Sequence, residues 1–324
     1  MAATTNAPRI RPGPGRGRRR GNLTRVPQMV PYDEFGLFHE NAAEFGLPYD
    51  GPPTVRREEV EVAPGRRLSA LVWGDRPPEL VLLHGGAQNA HTWDTVAMAL
   101  GRPLVAIDLP GHGHSDGPAE NSADLTTNAR DVAVAVEQLA PDAVGVVGMS
   151  LGGMTAIALT GERPDLVRAL VLVDVTPAVN QDKASQIIAF VDGPESFPDF
   201  DELLARTQEF NPTRSESSLR RGILHNALQR EDGSWVWRYR RFIDRASAGA
   251  LDASSLWDVV SGITVPVMLV RGMRPQSVVD DADEAELLRR LPDARIEHVE
   301  EAGHSVQGDD PLTLARLLDD FLPS

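Results

Sequence analysis

The run Gly148-Met149-Ser150-Leu151-Gly152-Gly153 places a hydroxyl between glycines two positions to either side. It follows an apolar strand pattern over 143–148 and precedes a helical pattern over 151–162. A serine on such a sharp strand-to-helix turn takes a strained backbone conformation. Small residues two positions away leave room for it, and the turn pushes the hydroxyl out of the sheet. The N-terminus of the next helix adds N–H groups and a positive dipole end where negative charge would develop. Nucleophilic catalysis also needs a base, because a serine alone is a weak nucleophile. His304, in Glu301-Ala302-Gly303-His304-Ser305, lies in the loop between the last predicted strand (295–299) and the last predicted helix (311–321). From the C-terminal end of a strand it reaches the same sheet edge as Ser150.

The base needs an orienting carboxylate. The usual place for it is three residues past a glycine, after the strand before the last. Here that strand, 265–270, runs into Arg271-Gly272, and three residues on stands Pro275. Asp280, Asp281 and Asp283 follow at a predicted helix start, where capping is the plain alternative. Asp174 closes the strand pattern Val171-Leu172-Val173-Asp174, and a lone carboxylate there is costly unless paired. Asp174 is therefore the first candidate for the acid. The Asp280/Asp281 pair stays open behind it, as does a site with no acid. Ser277 occupies the loop where the usual acid would be and is placed either to hydrogen-bond near His304 or to serve as a turn residue. An oxyanion hole needs two backbone N–H groups. Leu151 supplies one, and Gly86, in His84-Gly85-Gly86-Ala87 after the predicted strand 79–83, supplies the other. His84 is read as fixing that loop. His112 and His114 flank Gly113, but no third ligand stands near them, so they are read as structural and no metal is expected.

These residues need a frame. Short apolar runs at 55–62, 66–73, 79–83, 104–108, 143–148, 169–174, 265–270 and 295–299 alternate with helical patterns at 90–100, 125–139, 151–162, 283–291 and 311–321. That alternation predicts an α/β fold with a mostly parallel sheet covered on both faces. The order breaks over 177–262, which is too long for a plain loop and is read as a helical cap. Its Trp235, Trp237 and Tyr239 alternate as on a strand, either walling an apolar pocket or packing the cap. Residues 29–54 form an N-terminal helical extension, with Phe35, Phe38, Ala42 and Phe45 at helical spacing, Asp33 at its start and Gly46 at its end. It lies on the main domain or borders the site mouth or a subunit interface. Residues 1–28, rich in Gly, Pro and Arg, are expected to be a disordered basic tail.

Composition bounds the partners. The 324 residues hold 32 basic and 47 acidic side chains and no cysteine. Disulfides, thiolate metal sites and cysteine nucleophiles are thereby excluded. Residues 1–25 carry seven arginines and no acid, leaving a body with 25 basic and 47 acidic groups. Such a body is a poor nucleic-acid binder. No run approaches a membrane span, so the expectation is a cytoplasmic protein without membrane or nucleic-acid partners, its oligomeric state open with a homo-oligomer allowed.

Together, His84-Gly85-Gly86, Asp108-Leu109-Pro110-Gly111-His112-Gly113-His114-Ser115, the Ser150 turn and Ala302-Gly303-His304 resemble the α/β-hydrolase family over residues 55–322. The resemblance implies an eight-stranded sheet with its second strand antiparallel, a core of 55–176 and 263–324, and a lid after the sixth strand. It also implies that the acid can follow the sixth strand, where Asp174 falls, with a serine like Ser277 in the seventh-strand loop. Serine at position 150 argues against dehalogenase and epoxide hydrolase chemistry, which use a carboxylate nucleophile. The expectation is a cofactor-free serine hydrolase acting on a small-molecule ester, lactone or thioester through an acyl-enzyme. Carbon–carbon bond hydrolysis and perhydrolysis on the same triad are alternatives, as is a ligand-binding protein with little turnover.

Overall fold

The computed structural model describes residues 29–118, 124–177, 181–212, 214–239 and 253–323; the basic tail 1–28 lies outside them. In chain order, helix α1 (Phe38–Phe45) precedes the hairpin β1 (Val55–Ala63) and β2 (Arg66–Trp73). Then come β3 (Leu80–Leu83), α2 (Asp94–Leu100), β4 (Leu104–Ile107), α3 (Leu125–Leu139), β5 (Gly145–Met149), α4 (Leu151–Glu162) and β6 (Leu170–Val173). An insertion follows, with α5 (Gln181–Val191), β7 (Ser196–Phe197), α6 (Phe200–Phe210), α7 (Glu216–Asn226), β8 (Ala227–Gln229) and β9 (Trp235–Trp237). The chain closes with α8 (Ala253–Ser261), β10 (Val267–Gly272), α9 (Asp281–Arg290), β11 (Arg295–Val299), α10 (Val306–Asp309) and α11 (Pro311–Phe321).

The main sheet has eight strands in the order β1-β2-β4-β3-β5-β6-β10-β11. β2 runs antiparallel to both its neighbours, and the pairs from β4 to β11 are parallel. The inner strands are apolar throughout because both faces are covered. Side chains alternate between two cores. Val81, Leu83, Leu170, Leu172 and Leu269 enter one core with residues of α3, α4 and α8. Leu80, Leu82, Val171, Val173 and Met268 enter the other with α2 and α11.

Three features depart from the sequence reading. The insertion carries a small antiparallel sheet, β7-β9-β8, besides its helices. Strands of two and three residues are too short to leave a periodic pattern. Residues 253–262, read as cap, instead join the main core, with Leu256, Trp257 and Val260 of α8 buried among its residues. Asp33 does not cap α1, whose N-cap is Leu37. The Asp33 carboxylate instead accepts the Phe35 N–H at 3.2 Å in a turn before the helix. Gly46 does end α1, in the left-handed conformation at φ 66°.

The N-terminal extension is stitched to the insertion. Val30, Tyr32 and Leu37 pack on the insertion's own core of Phe197, Leu203, Ile223, Leu224 and Trp235. Val30 N–H donates to Gln229 Oε1 at 2.7 Å, and Arg221 of α7 pairs with Glu44 of α1.

Candidate active site

Ser150 is the N-cap of α4 and has φ 50° and ψ −117°, a conformation non-glycine residues avoid. The glycines around it leave no space for a side chain. A Cβ on Gly148 would lie 2.4 Å from Gly152 O, and one on Gly152 would lie 2.2 Å from Leu83 O. The chain can therefore turn this sharply against β3 only with glycine at both places. The Ser150 hydroxyl makes no hydrogen bond among the described residues.

Asp174 follows β6 directly, at φ 48°, and is fully buried. Its Oδ1 accepts from Gly272 N at 3.0 Å and Ser277 Oγ at 2.6 Å. Its Oδ2 accepts from Val278 N at 3.0 Å and His304 Nδ1 at 2.9 Å. Four donors from three segments thus satisfy one buried charge. The Nδ1–H bond to the carboxylate leaves His304 Nε2 with the free lone pair, the tautomer a general base requires. The structure brings together Asp174, Ser277 and His304, and separates them from the other acidic candidates. Asp280 is the N-cap of α9 in a capping box with Asp283. Asp281 is exposed and paired with Arg271 at 2.8 Å.

The loop after β3 lies against Ser150, since a Cβ on Gly85 would stand 3.3 Å from Ser150 Cβ. Within this loop the Gly85 N–H donates to Gln88 Oε1 at 3.1 Å, and the Ala87 N–H donates to His112 Nε2 at 3.1 Å. Between these two bonded amides stands Gly86, whose N–H has no hydrogen bond among the described residues. His84 is buried, donates from Nδ1 to Gly85 O at 2.7 Å and accepts Leu109 N–H at Nε2 at 2.9 Å. Burial lowers its pKa, so it stays neutral and can accept. Burial, with His84 close by, also holds His112 down at about 3, which keeps Nε2 an acceptor for Ala87. Both histidines are thus loop fasteners.

Sequence reasoning missed a second polar cluster beside this loop. His91 bonds Asp94 Oδ2 through Nδ1 at 2.9 Å and Glu34 Oε1 through Nε2 at 3.1 Å. Burial alone would lower its pKa, but the two carboxylates outweigh that and raise it to about 9. His225 of α7 stacks on this imidazolium, with ring centroids 3.8 Å apart and planes 14° from parallel. Burial first, then the neighbouring His91, hold His225 well below its ordinary pKa, and Tyr32 bonds its Nδ1 at 2.8 Å. His91, Asp94 and His225 offer donor atoms within 4.8 Å of one another. Donor lone pairs in nearly parallel stacked rings do not converge on one point, and His91 uses both nitrogens as hydrogen-bond donors. This arrangement suits proton sharing better than coordination. The local sequence shows only the His91–Asp94 spacing; Glu34, His225 and Tyr32 meet it from distant parts of the chain. Trp235 and Trp237, which alternate in the sequence, do stand on a strand. Trp235 packs on Phe200, and Trp237 on Phe197 and Tyr239.

The eight-stranded sheet, the strained serine turn and the histidine at the same edge define a class. Residues 80–317 match the alpha/beta hydrolase family, and the chain belongs to it. The chain is 44% identical over 301 residues to Esterase Rv0045c of Mycobacterium tuberculosis, covering 90% of this chain and 96% of that one. A solved structure of that esterase, from work on its inhibition by transition metals, superposes with a TM-score of 0.78 at 42% identity, covering 90% of this chain and 99% of that one. The chain is also 30% identical over 242 residues to the sn-1-specific diacylglycerol lipase ABHD11 of Xenopus laevis, covering 72% and 75% of the two chains. No helix among the described residues is long and apolar enough to cross a membrane.

Proposed function

We propose that the protein hydrolyses carboxylic esters through an acyl-enzyme on Ser150. The observation that carries this is the His304–Asp174 hydrogen bond of 2.9 Å, made at the sheet edge where Ser150 is held in its strained turn. His304 Nε2 takes the Ser150 proton as Oγ attacks the acyl carbon. The Gly86 and Leu151 amides hold the oxyanion. His304 then protonates the leaving alkoxide, and water, deprotonated by the same nitrogen, releases the acid. Asp174 orients the ring and stabilises the imidazolium, and Ser277 holds Asp174. The insertion from residue 177 to the start of α8 acts as the cap over the acyl substrate. Lactones and thioesters fit the same steps, and similarity to an esterase and a lipase favours oxygen esters. Carbon–carbon hydrolysis and perhydrolysis would use the same three residues.

The test is p-nitrophenyl acetate and butyrate turnover together with fluorophosphonate labelling, by wild type and Ser150→Ala. Turnover and stoichiometric labelling of wild type alone are expected. Tight ligand binding by an unlabelled, inert wild type would instead make this a binding protein on a hydrolase scaffold.

A further inference from the structure

We infer that Asn226, at the C-terminal end of α7 in the insertion, is a positioning residue for the oxyanion hole, so that the chemistry is competent only with the insertion docked. The inference rests on the serine-hydrolase reading above. Ala87 is a non-glycine residue at φ 59°, in the loop that offers the Gly86 amide. Such a conformation persists only where surrounding contacts over-determine it. On the N–H side of Ala87 the hold is His112, from the loop after β4. On the carbonyl side it is Asn226, whose Nδ2 donates to Ala87 O at 2.6 Å. With Gly85 N–H on Gln88, the backbone is tied on both sides of Gly86.

The orientation of the Asn226 amide follows from its other contact. Asn89 Nδ2 donates to Asn226 Oδ1 at 3.1 Å, which leaves Nδ2 for Ala87. Asn89 is fixed in turn, since its Oδ1 accepts His91 N–H at 2.9 Å. The backbone of Asn226 is held from the insertion, its carbonyl accepting Arg238 N–H at 2.8 Å. The adjacent His225 stacks on His91 of the core. One end of α7 therefore docks on the main domain through two consecutive residues, one of which reaches the strained loop. Of the side chains among the described residues whose hydrogen bonds tie the loop, His84, Gln88 and His112 belong to the main domain and Asn226 to the insertion. When α7 lifts, Ala87 O loses its partner and the Gly86 amide loses its aim.

The test compares Asn226→Ala and the near-isosteric Asn226→Asp with wild type, on p-nitrophenyl butyrate. The aspartate still accepts from Asn89 but faces Ala87 O with an oxygen. Rates are expressed per active site counted by fluorophosphonate titration, so that a partly unfolded preparation is still read. Expected is a fall in kcat of about tenfold for the alanine, and more for the aspartate, with KM within about twofold. A trifluoromethyl ketone, which takes Ser150 Oγ onto its carbonyl and leaves a tetrahedral oxyanion, should bind more weakly by the same factor. A substitution that merely loosened the fold would not move kcat per titrated site and analogue affinity together. Unchanged kcat and analogue affinity in both variants, or a raised KM with unchanged kcat, would overturn the inference alone. An inert, unlabelled wild type would overturn it together with the reading it rests on.

Discussion

Asp174→Asn is the sharpest probe of the proposed acid. All four groups around this carboxylate are donors: Gly272 N–H and Ser277 Oγ–H at one oxygen, Val278 N–H and His304 Nδ1–H at the other. An asparagine must turn its NH2 toward one pair. Toward Val278 and His304, it would drive the imidazole into the tautomer protonated on Nε2 and remove the base. Toward Gly272 and Ser277, the serine can rotate and accept, so this is the better-tolerated orientation. The remaining amide oxygen then still accepts from His304, but the negative charge is gone. With the charges about 4 Å apart and an effective dielectric of about 20, that charge is worth about 4 kcal/mol to the imidazolium. Four kcal/mol corresponds to roughly a thousandfold in kcat. The NH2 facing Gly272 N–H adds a stability loss of about 1–3 kcal/mol. The assay is p-nitrophenyl butyrate turnover per titrated site, with a thermal melt beside it. Ser277→Ala removes one donor of four and should lower kcat by about tenfold. Asp280→Asn, which keeps its capping oxygen, and Asp281→Asn should leave kcat within about twofold. An Asp174→Asn enzyme keeping more than about a tenth of wild-type kcat would refute the assignment, most clearly if the Asp280→Asn/Asp281→Asn double variant lost activity.

The glycines and the clasp at the insertion give further outcomes. Gly152→Ala should fail to fold or melt far below wild type, because its Cβ meets backbone atoms of Leu83 and His84 at 2.2–2.7 Å. Gly86→Ala should melt with wild type, since a Cβ there has nothing within 4 Å. The cluster of Glu34, His91, Asp94, His225 and Arg57 should make stability pH-dependent. His91, at about 9 folded against an ordinary 6.5, contributes fully below about pH 6.5 and less as pH rises through 9. Burial would raise Glu34, but hydrogen bonds from His91 and Arg57 hold it at about 2, so its contribution fades only as pH falls from 4.5 toward 2. Stability should therefore decline between pH 6.5 and 9 by an amount on the order of 2–3 kcal/mol, read as a falling melting temperature, and His91→Gln should flatten that limb. An unchanged slope in His91→Gln would place the titrating group elsewhere.

The inner strands were legible because a strand buried on both faces must be apolar throughout, and 80–83, 104–107 and 170–173 are. Ser150 was legible because its geometry demands glycine at 148 and 152. Asp174 was legible by cost, as a charge closing an apolar strand with no local partner. What stayed hidden is long-range. Asn226 and Ala87 are 139 positions apart, and neither has a neighbouring residue that reports the other. The Glu34–His91–Asp94–His225 cluster joins three separate parts of the chain in the same way. Helix α8 was misplaced because an amphipathic helix at the end of an insertion carries no mark of which core its apolar face will meet.

The position of the proposed acid follows from the sheet itself. β6 and β10 are parallel neighbours in register, with Val173 opposite Val270. β10 runs on two residues past Val270 to Gly272, so the chain leaving β6 lies beside the last residues of β10, one strand spacing away. Asp174 stands one residue beyond Val173, its own N–H bonded to Val270 O at 2.8 Å. The left-handed turn at Asp174 takes its carboxylate across to the loop after Gly272, where it accepts the Gly272 and Val278 amides. The loop that would hold the acid in the usual arrangement instead cradles the Asp174 carboxylate, with Ser277 among its donors. His304, in the loop after the next strand, β11, reaches that point either way. Moving the carboxylate by one strand thus preserves its bond to His304, provided the strand it leaves supplies donors to the buried charge. Those donors are present, which is why the absence of an acid after Gly272 is compatible with an intact histidine–carboxylate pair.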